Sequence, residues 1–255
     1  MTTRSKGEIE KIRAAAELVA TTLRELEGAV RPGVTTTKLN KLTKQFIQKY
    51  GGRPAFLGYR GFPASICPSV NEEVVHGIPG PRVLREGDIV GIDVGVELDG
   101  FYGDAARTFA VGTVSDEARR LMEVTRDALT EGIAQARPGN RVGDISNAVQ
   151  RHVESHGYSV VRALVGHGIG RDMHEEPAVP NFGAPGRGLR LWSGLVLAIE
   201  PMVNAGGHEV VTRPDGWTVA TKDGSLSAHF EHTVVVGPDG PEILSVVPDG
   251  TKRGR

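Results

Sequence analysis

Apolar residues at three- and four-residue steps mark one face of a helix, and Ile9, Ile12, Ala16, Val19 and Leu23 set that stripe through residues 7–29. The next stretch, RPGVTTTKLNKLTKQFIQKYGG (31–52), opens on a Pro-Gly turn, enters a helix near its threonines and stops at Gly51. The pattern then changes. DIVGIDVGV (88–96) and FYGDAARTFAV (101–111) read as strands around a turn at Leu98–Gly100. A helix follows over about 115–136, and RPGNRVGDISNAVQRHVESHGY (137–158) is again a Pro-Gly turn leading into a helix. Two more strands are expected near 195–203 and 229–237.

The second half echoes the first. The RPG of 31–33 returns at 137–139, and the same 106-residue offset joins the helix ends Gly51 and Gly157. At an offset of 107, LREGDIVGIDVGV (84–96) aligns with LWSGLVLAIEPMV (191–203), which places Asp93 on Glu200. The expected architecture is one α+β domain over 1–255, with pseudo-symmetric halves at about 7–113 and 114–247 that each deliver carboxylates to a central seam.

Composition narrows the class without naming it. The chain is 39% apolar and 24% charged, ordinary for a soluble globular protein. Lys+Arg 30 against Asp+Glu 31 shows no basic excess of the kind a nucleic-acid binder carries. The single cysteine, Cys67, excludes an internal disulfide and fits a reducing compartment. The first residues have neither the apolar core of a signal peptide nor a membrane-length run, so a cytoplasmic location and no membrane partner are expected. The C-terminal TKRGR reads as a frayed tail.

The chemistry lies in the carboxylates. Asp93 sits inside the apolar run IVGIDVGV, where an ionised group needs compensation. Asp104 is on the next strand. A turn centred between Leu98 and Asp99 makes the two direct cross-strand neighbours, and another register moves them a residue or two apart. Close carboxylates repel, and a cation between them removes the conflict. The second half adds Glu200 in GLVLAIEPMV, and Glu231 in AHFEHTVVV beside His229 and His232. GHGIGRDMHEEP (166–177) supplies His167 and His174. Four carboxylates and one imidazole form a hard-to-borderline donor set, suited to Mn²⁺, Fe²⁺, Co²⁺ or Zn²⁺ and unlike a structural zinc site. Five ligands, some shared, suffice for two ions. Each residue alone is ordinary, and the weight lies in the set.

The ordered series GIDVG, DGFYGDAARTF, GHGIGRDMHEEP, AIEPMVNAG and SLSAHFEHT resembles the type I methionine aminopeptidases of bacteria, in the pita-bread metallopeptidase family. NEEVVHGIP (71–79), DGWTV (215–219) and LGYRGFP (57–63) belong to the same pattern, and the resemblance spans about residues 7–247. It implies a pita-bread fold with two pseudo-symmetric halves around a central antiparallel sheet. It also implies two divalent cations per chain (Co, Mn, Fe(II), Zn or Ni). Asp93 and Asp104 would bind one and His167 and Glu200 the other, with Asp104 and Glu231 bridging. Asn71 and Ser227 match a monovalent-cation site of some relatives, and loop hydrogen bonding accounts for them equally well.

The implied reaction is removal of N-terminal methionine from nascent chains with a small second residue, by attack of a metal-bridging hydroxide. Glu200 would double as the proton carrier. His174 would stabilise the oxyanion, and His76 would sit near the scissile nitrogen. Phe56, Tyr59, Phe62, Cys67, Met173 and Trp217 would form the methionine pocket. Phe56 and Met173 depart from the commonest pattern, which has cysteine and phenylalanine there. The implied partners are N-termini of nascent polypeptides, with a transient ribosome contact, and a monomer is expected. Prolidases on the same fold usually carry an extra N-terminal domain, and type II enzymes a helical insertion, for which this chain leaves no room. A non-catalytic relative would have lost ligands, and all five are present.

Overall fold

The computed structural model describes residues 3–247, so the TKRGR tail lies outside the described residues. Helix α1, Lys6–Glu27, begins where Ser5 caps it. The Ser5 hydroxyl accepts from the Glu8 N–H at 3.3 Å, and the Glu8 carboxylate accepts from the Ser5 N–H at 3.0 Å, satisfying two otherwise orphaned donors. Ile12, Ala16, Val19 and Leu23 are buried as their spacing predicts, and Ile9 is half-buried. Helix α2, Thr36–Lys49, is capped by Thr35, and α3, Asp116–Ala134, by Ser115. In α4, Val142–Ser155, the Asp144 carboxylate takes the Arg141 N–H at 2.7 Å.

The strands Ile89–Leu98 and Phe101–Ala110 form a hairpin closed by Asp99 and Gly100, with φ of 51° and 77°. A two-residue hairpin turn of this hand needs positive φ at both positions, which Asp-Gly tolerates and a leucine resists. The turn is therefore centred one residue later than the direct-neighbour reading of Asp93 and Asp104 requires. Asp93 pairs with Ala106, and Asp104 with Gly95. The two aspartates share one face of the ribbon as diagonal neighbours, close enough for their side chains to interact.

The other edge of Ile89–Leu98 pairs with Cys67–Val70, Cys67 opposite Asp93, and with Arg53–Pro54. Helix α1 lies across the hairpin at Gly103, where a Cβ would fall 2.4 Å from the Ala16 backbone nitrogen. Only glycine permits that approach. Leu18, Val19 and Leu23 of α1 join Ile92, Val94 and Val96 in one apolar cluster beneath it.

The second half builds a five-stranded antiparallel sheet, in the order Pro241–Ile243, His232–Val236, Val196–Ile199, Val165–Gly168, Glu175–Pro180. Leu129 and Ile133 of α3 and Ile145 of α4 cover it, against Leu197, Ile199 and Val234. The expected continuous strand 195–203 is broken. It pauses at Glu200 and Pro201 and resumes as Met202–Asn204, because proline has no N–H for the ladder. Its partner, expected over 229–237, breaks beside it at Phe230–Glu231, between Ser227–His229 and His232–Val236. Both glutamates thus sit at sheet breaks.

The hairpin meets this broken ribbon along a seam closed by threonines. Thr108 Oγ1 donates to the His229 carbonyl at 2.9 Å and Thr233 Oγ1 to the Asp104 carbonyl at 2.7 Å, a reciprocal exchange. The Glu231 N–H donates to the Ala106 carbonyl at 2.9 Å. The architecture is α+β, with antiparallel strands inside and helix pairs outside. Among the described residues no helix is long and apolar enough to cross a membrane.

Candidate active site

A cavity of about 140 Å³ opens over this seam. The metal-ligand candidates Asp93, Asp104, His167, Glu200 and Glu231 all line it, as do His76 and His174 and the pocket candidates Phe56, Tyr59, Phe62, Cys67, Met173 and Trp217. Arg60 also lines it, a residue with no signal in the sequence beyond its place in a glycine-flanked loop.

At the floor, Asp104, His167 and Glu231 each present one ligand atom, all within 4.8 Å of one another. The three are buried, at 3%, 8% and 2% exposure. Glu200 reaches the same place, with Oε1 3.6 Å from His167 Nε2. Asp93 Oδ1, Asp104 Oδ1 and Glu231 Oε1 are buried without a hydrogen-bond partner. Such orphaned oxygens are costly unless something else satisfies them.

Burial pushes the Asp93 carboxyl up to about 7. Burial, then the charges of Glu231 and Asp93, raises Asp104 well above the usual range, while burial and neighbouring carboxylates raise Glu200 and Glu231 likewise. Four carboxylates this close cannot all ionise without a cation among them. His167 is pushed down to about 4 by burial, which keeps its ring neutral. Its Nδ1 lies 2.9 Å from the Gly168 carbonyl. Nδ1–H donation there fixes the tautomer with the Nε2 lone pair free, the arrangement usual for a metal-binding histidine. The donor set, its unpartnered oxygens and this tautomer fit divalent cations.

The second histidine behaves differently. His174 stands exposed at the mouth, stacked on Tyr59 with centroids 5.2 Å apart. Its Nδ1 is 2.9 Å from the Tyr59 hydroxyl. The imidazole is lowered first by desolvation on its pocket side and then by His167, Arg60 and His76, so it is neutral. His76 holds φ of 59°, a left-handed conformation that stores strain in a non-glycine residue. Burial lowers its imidazole too.

The apolar wall is one cluster of Phe56, Phe62, Ala64, Cys67 and Met173, with Tyr59 and Trp217 packed against it. Phe62 meets Trp217 edge-on at 5.2 Å. His229, noticed in the sequence only as a neighbour of Glu231, is buried with Nε2 3.7 Å from Glu200 Oε2. Asn71 and Ser227 lie elsewhere. The Asn71 amide donates to Asp88 at 2.9 Å and accepts from the Ile89 N–H at 3.0 Å, while the Ser227 N–H donates to the Asn71 carbonyl at 2.9 Å.

A buried carboxylate–imidazole floor beneath an apolar pocket is the site of a metallohydrolase. The pattern of metallopeptidase family M24 matches residues 10–238. A methionine aminopeptidase of Clostridium perfringens is 54% identical over 96% of this chain and 98% of its own length. The crystal structure of methionine aminopeptidase from Rickettsia prowazekii superposes with a TM-score of 0.95 at 48% identity, covering 96% of this chain and 100% of that one. The chain belongs to metallopeptidase family M24 and, within it, to the type I methionine aminopeptidases of bacteria. An Xaa-Pro dipeptidase from Bacillus anthracis shares the pita-bread fold, with a TM-score of 0.77 at 21% identity over 96% of this chain and 62% of that one.

Proposed function

We propose that this protein releases the N-terminal methionine of peptides and nascent proteins whose second residue is small. The observation that carries the reading is the joining of two unlike surfaces in one cavity. Its floor holds unpartnered carboxylate oxygens and a neutral imidazole, and its wall is the Phe56–Phe62–Met173 cluster.

Asp93, Asp104, His167, Glu200 and Glu231 would hold two divalent ions. When bound, such cations neutralise the clustered charge and supply a water of lowered pKa as nucleophile. The protein's own groups do the rest. Phe56, Phe62, Met173 and Trp217 take an unbranched apolar side chain, where a thioether gains polarisable contact with the rings. Glu200, at the strand break, accepts the proton of the attacking water and passes it to the leaving amine. Tyr59 O–H donates to His174 Nδ1, which leaves Nε2–H as a donor for the carbonyl oxygen as its charge builds. His76, on the same cavity, contacts the scissile amide. The narrow cavity excludes a bulky second residue, so the selectivity is steric.

Reconstitution tests this. Apo-protein loaded with Mn²⁺, Fe²⁺, Co²⁺, Zn²⁺ or Ni²⁺ in turn is expected to liberate free methionine from Met-Ala-Ser with at least one ion, and to bind two ions per chain at saturation. Release of no amino acid with any ion, or faster cleavage of an Ala-Pro peptide, overturns the assignment.

A further inference from the structure

The loop between the two active-site histidines is held from outside by a group the mechanism does not use. Arg4, in the segment ahead of α1, is buried, with its side chain 5% exposed. Its Nη2 contacts both carboxylate oxygens of Glu175, the residue after His174. A guanidinium taken out of water is costly unless paired, and a charge-assisted contact to both oxygens is among the strongest available.

Glu175 does more than pair. Its Oε1 also accepts the N–H groups of Arg171 and Asp172, at 2.9 and 3.1 Å, so one carboxylate organises the loop backbone. Across the ladder Glu175 pairs with Gly168, the neighbour of His167. Its position therefore bears on both histidines. The guanidinium lies in the space a side chain at Gly170 would need, since a Cβ there would be 2.4 Å from Arg4 Nη2. The Arg4 backbone is itself pinned, its N–H donating to the Gly194 carbonyl at 3.0 Å. Two further ties hold the same loop: Arg171 pairs with Glu8 at 3.1 Å, and the Tyr102 N–H donates to the Gly170 carbonyl at 2.8 Å.

We propose that Arg4 is a positioning residue for catalysis: its clasp on Glu175 sets the loop that aims His174 at the reacting carbonyl. The inference rests on the aminopeptidase reading of the cavity. A displacement of about 1 Å in a catalytic group costs on the order of 10²-fold in rate, so loosening the loop lowers turnover without removing any group that touches substrate.

The experiment compares the wild-type protein with Arg4→Met, Arg4→Lys, Glu175→Gln and the double variant Arg4→Met/Glu175→Gln. It uses metal-loaded protein, Met-Ala-Ser as substrate, and amide hydrogen exchange of the loop. Arg4→Met is expected to lower kcat by about 10-fold or more with KM within about twofold, and to speed exchange at Arg171 and Asp172. Arg4→Lys, which keeps the charge and loses the planar guanidinium, regains part of the rate. The double variant is no slower than the slower single one, because both break the same contact. A folded Arg4→Met protein with wild-type kcat, a rise in KM alone, or unchanged exchange overturns the proposal. Should Arg4→Met fail to fold, Arg4→Lys and Glu175→Gln carry the same comparison. Failure of the wild-type protein to release methionine would instead overturn the proposed function.

Discussion

The rings of His167 and His174 lie 4.1 Å apart, tilted by 40°, at the two ends of one hairpin loop. Strand geometry sends the first to the carboxylate floor and the loop lifts the second to the mouth beside Tyr59. One twelve-residue motif thus supplies both the floor and the mouth of the cavity, and on the proposed reading substitutions at its two histidines should fail in different ways.

His174→Ala is expected to lower kcat by about 10²–10³, the usual effect of one lost oxyanion donor, with little change in KM. Tyr59→Phe should give a smaller loss, since it removes only the bond that sets the tautomer. Steady-state kinetics on Met-Ala-Ser checks both. A rise in KM alone would make His174 a ground-state binding group.

His167→Ala, Asp104→Ala and Glu231→Ala should abolish turnover and lower bound metal while leaving a folded chain. Elemental analysis beside circular dichroism reads this directly. Full activity in any two of these variants would show that the floor is not the metal site.

Metal removal should expose a pH dependence of stability. Above about pH 8 an unfolded imidazole is almost wholly neutral, as are the folded imidazoles that burial lowers, His167, His174, His229 and His232, so these groups contribute little slope there. Unfolded carboxylates are already ionised there. Asp93, raised to about 7, and Asp104, Glu200 and Glu231, raised well above their usual values, still lose protons in the folded metal-free protein. The unfolded state then binds fewer protons, so stability falls as pH rises. The Tm of the metal-free protein should therefore drop between about pH 8 and 9. Saturating divalent cation should flatten the curve, and Glu231→Gln should reduce the slope. A Tm that climbs over this range in the metal-free protein contradicts the account.

Gly103→Ala tests the packing of α1. The added Cβ would meet the Ala16 backbone, which cannot swing aside as a flexible side chain does. Overpacking of this kind typically costs about 1–3 kcal/mol, measurable as a lower urea midpoint. Wild-type stability would mean that α1 sits farther from the hairpin.

Much of this was legible in the sequence, for identifiable reasons. The stripe from Ile12 to Leu23 obeys a local rule, and the structure keeps it. The Asp93–Asp104 register turned on which residues could take positive φ, and Asp99 and Gly100 outcompeted Leu98. The breaks at Glu200 and Glu231 were hidden because an apolar run reads as continuous until the pairing is known, although Pro201 was the available signal. Val165–Gly168 and Glu175–Pro180 are strands with no alternating pattern, held by their neighbours in the sheet. His229 carried a faint signal, two residues before Glu231. Arg60 and the Arg4–Glu175 contact carried none, because a long-range ion pair leaves no local pattern.

A free N-terminal methionine followed by a small residue is the proposed occupant of the cavity. The most direct measurement is kcat/KM for Met-Ala-Ser, Met-Lys-Ser and N-acetyl-Met-Ala-Ser under one metal condition. Met-Ala-Ser should exceed Met-Lys-Ser by about two orders of magnitude, because the bulky second residue holds the carbonyl out of attack geometry. The acetylated peptide should be inert, its terminal amine being blocked. Equal cleavage of all three peptides would contradict the account.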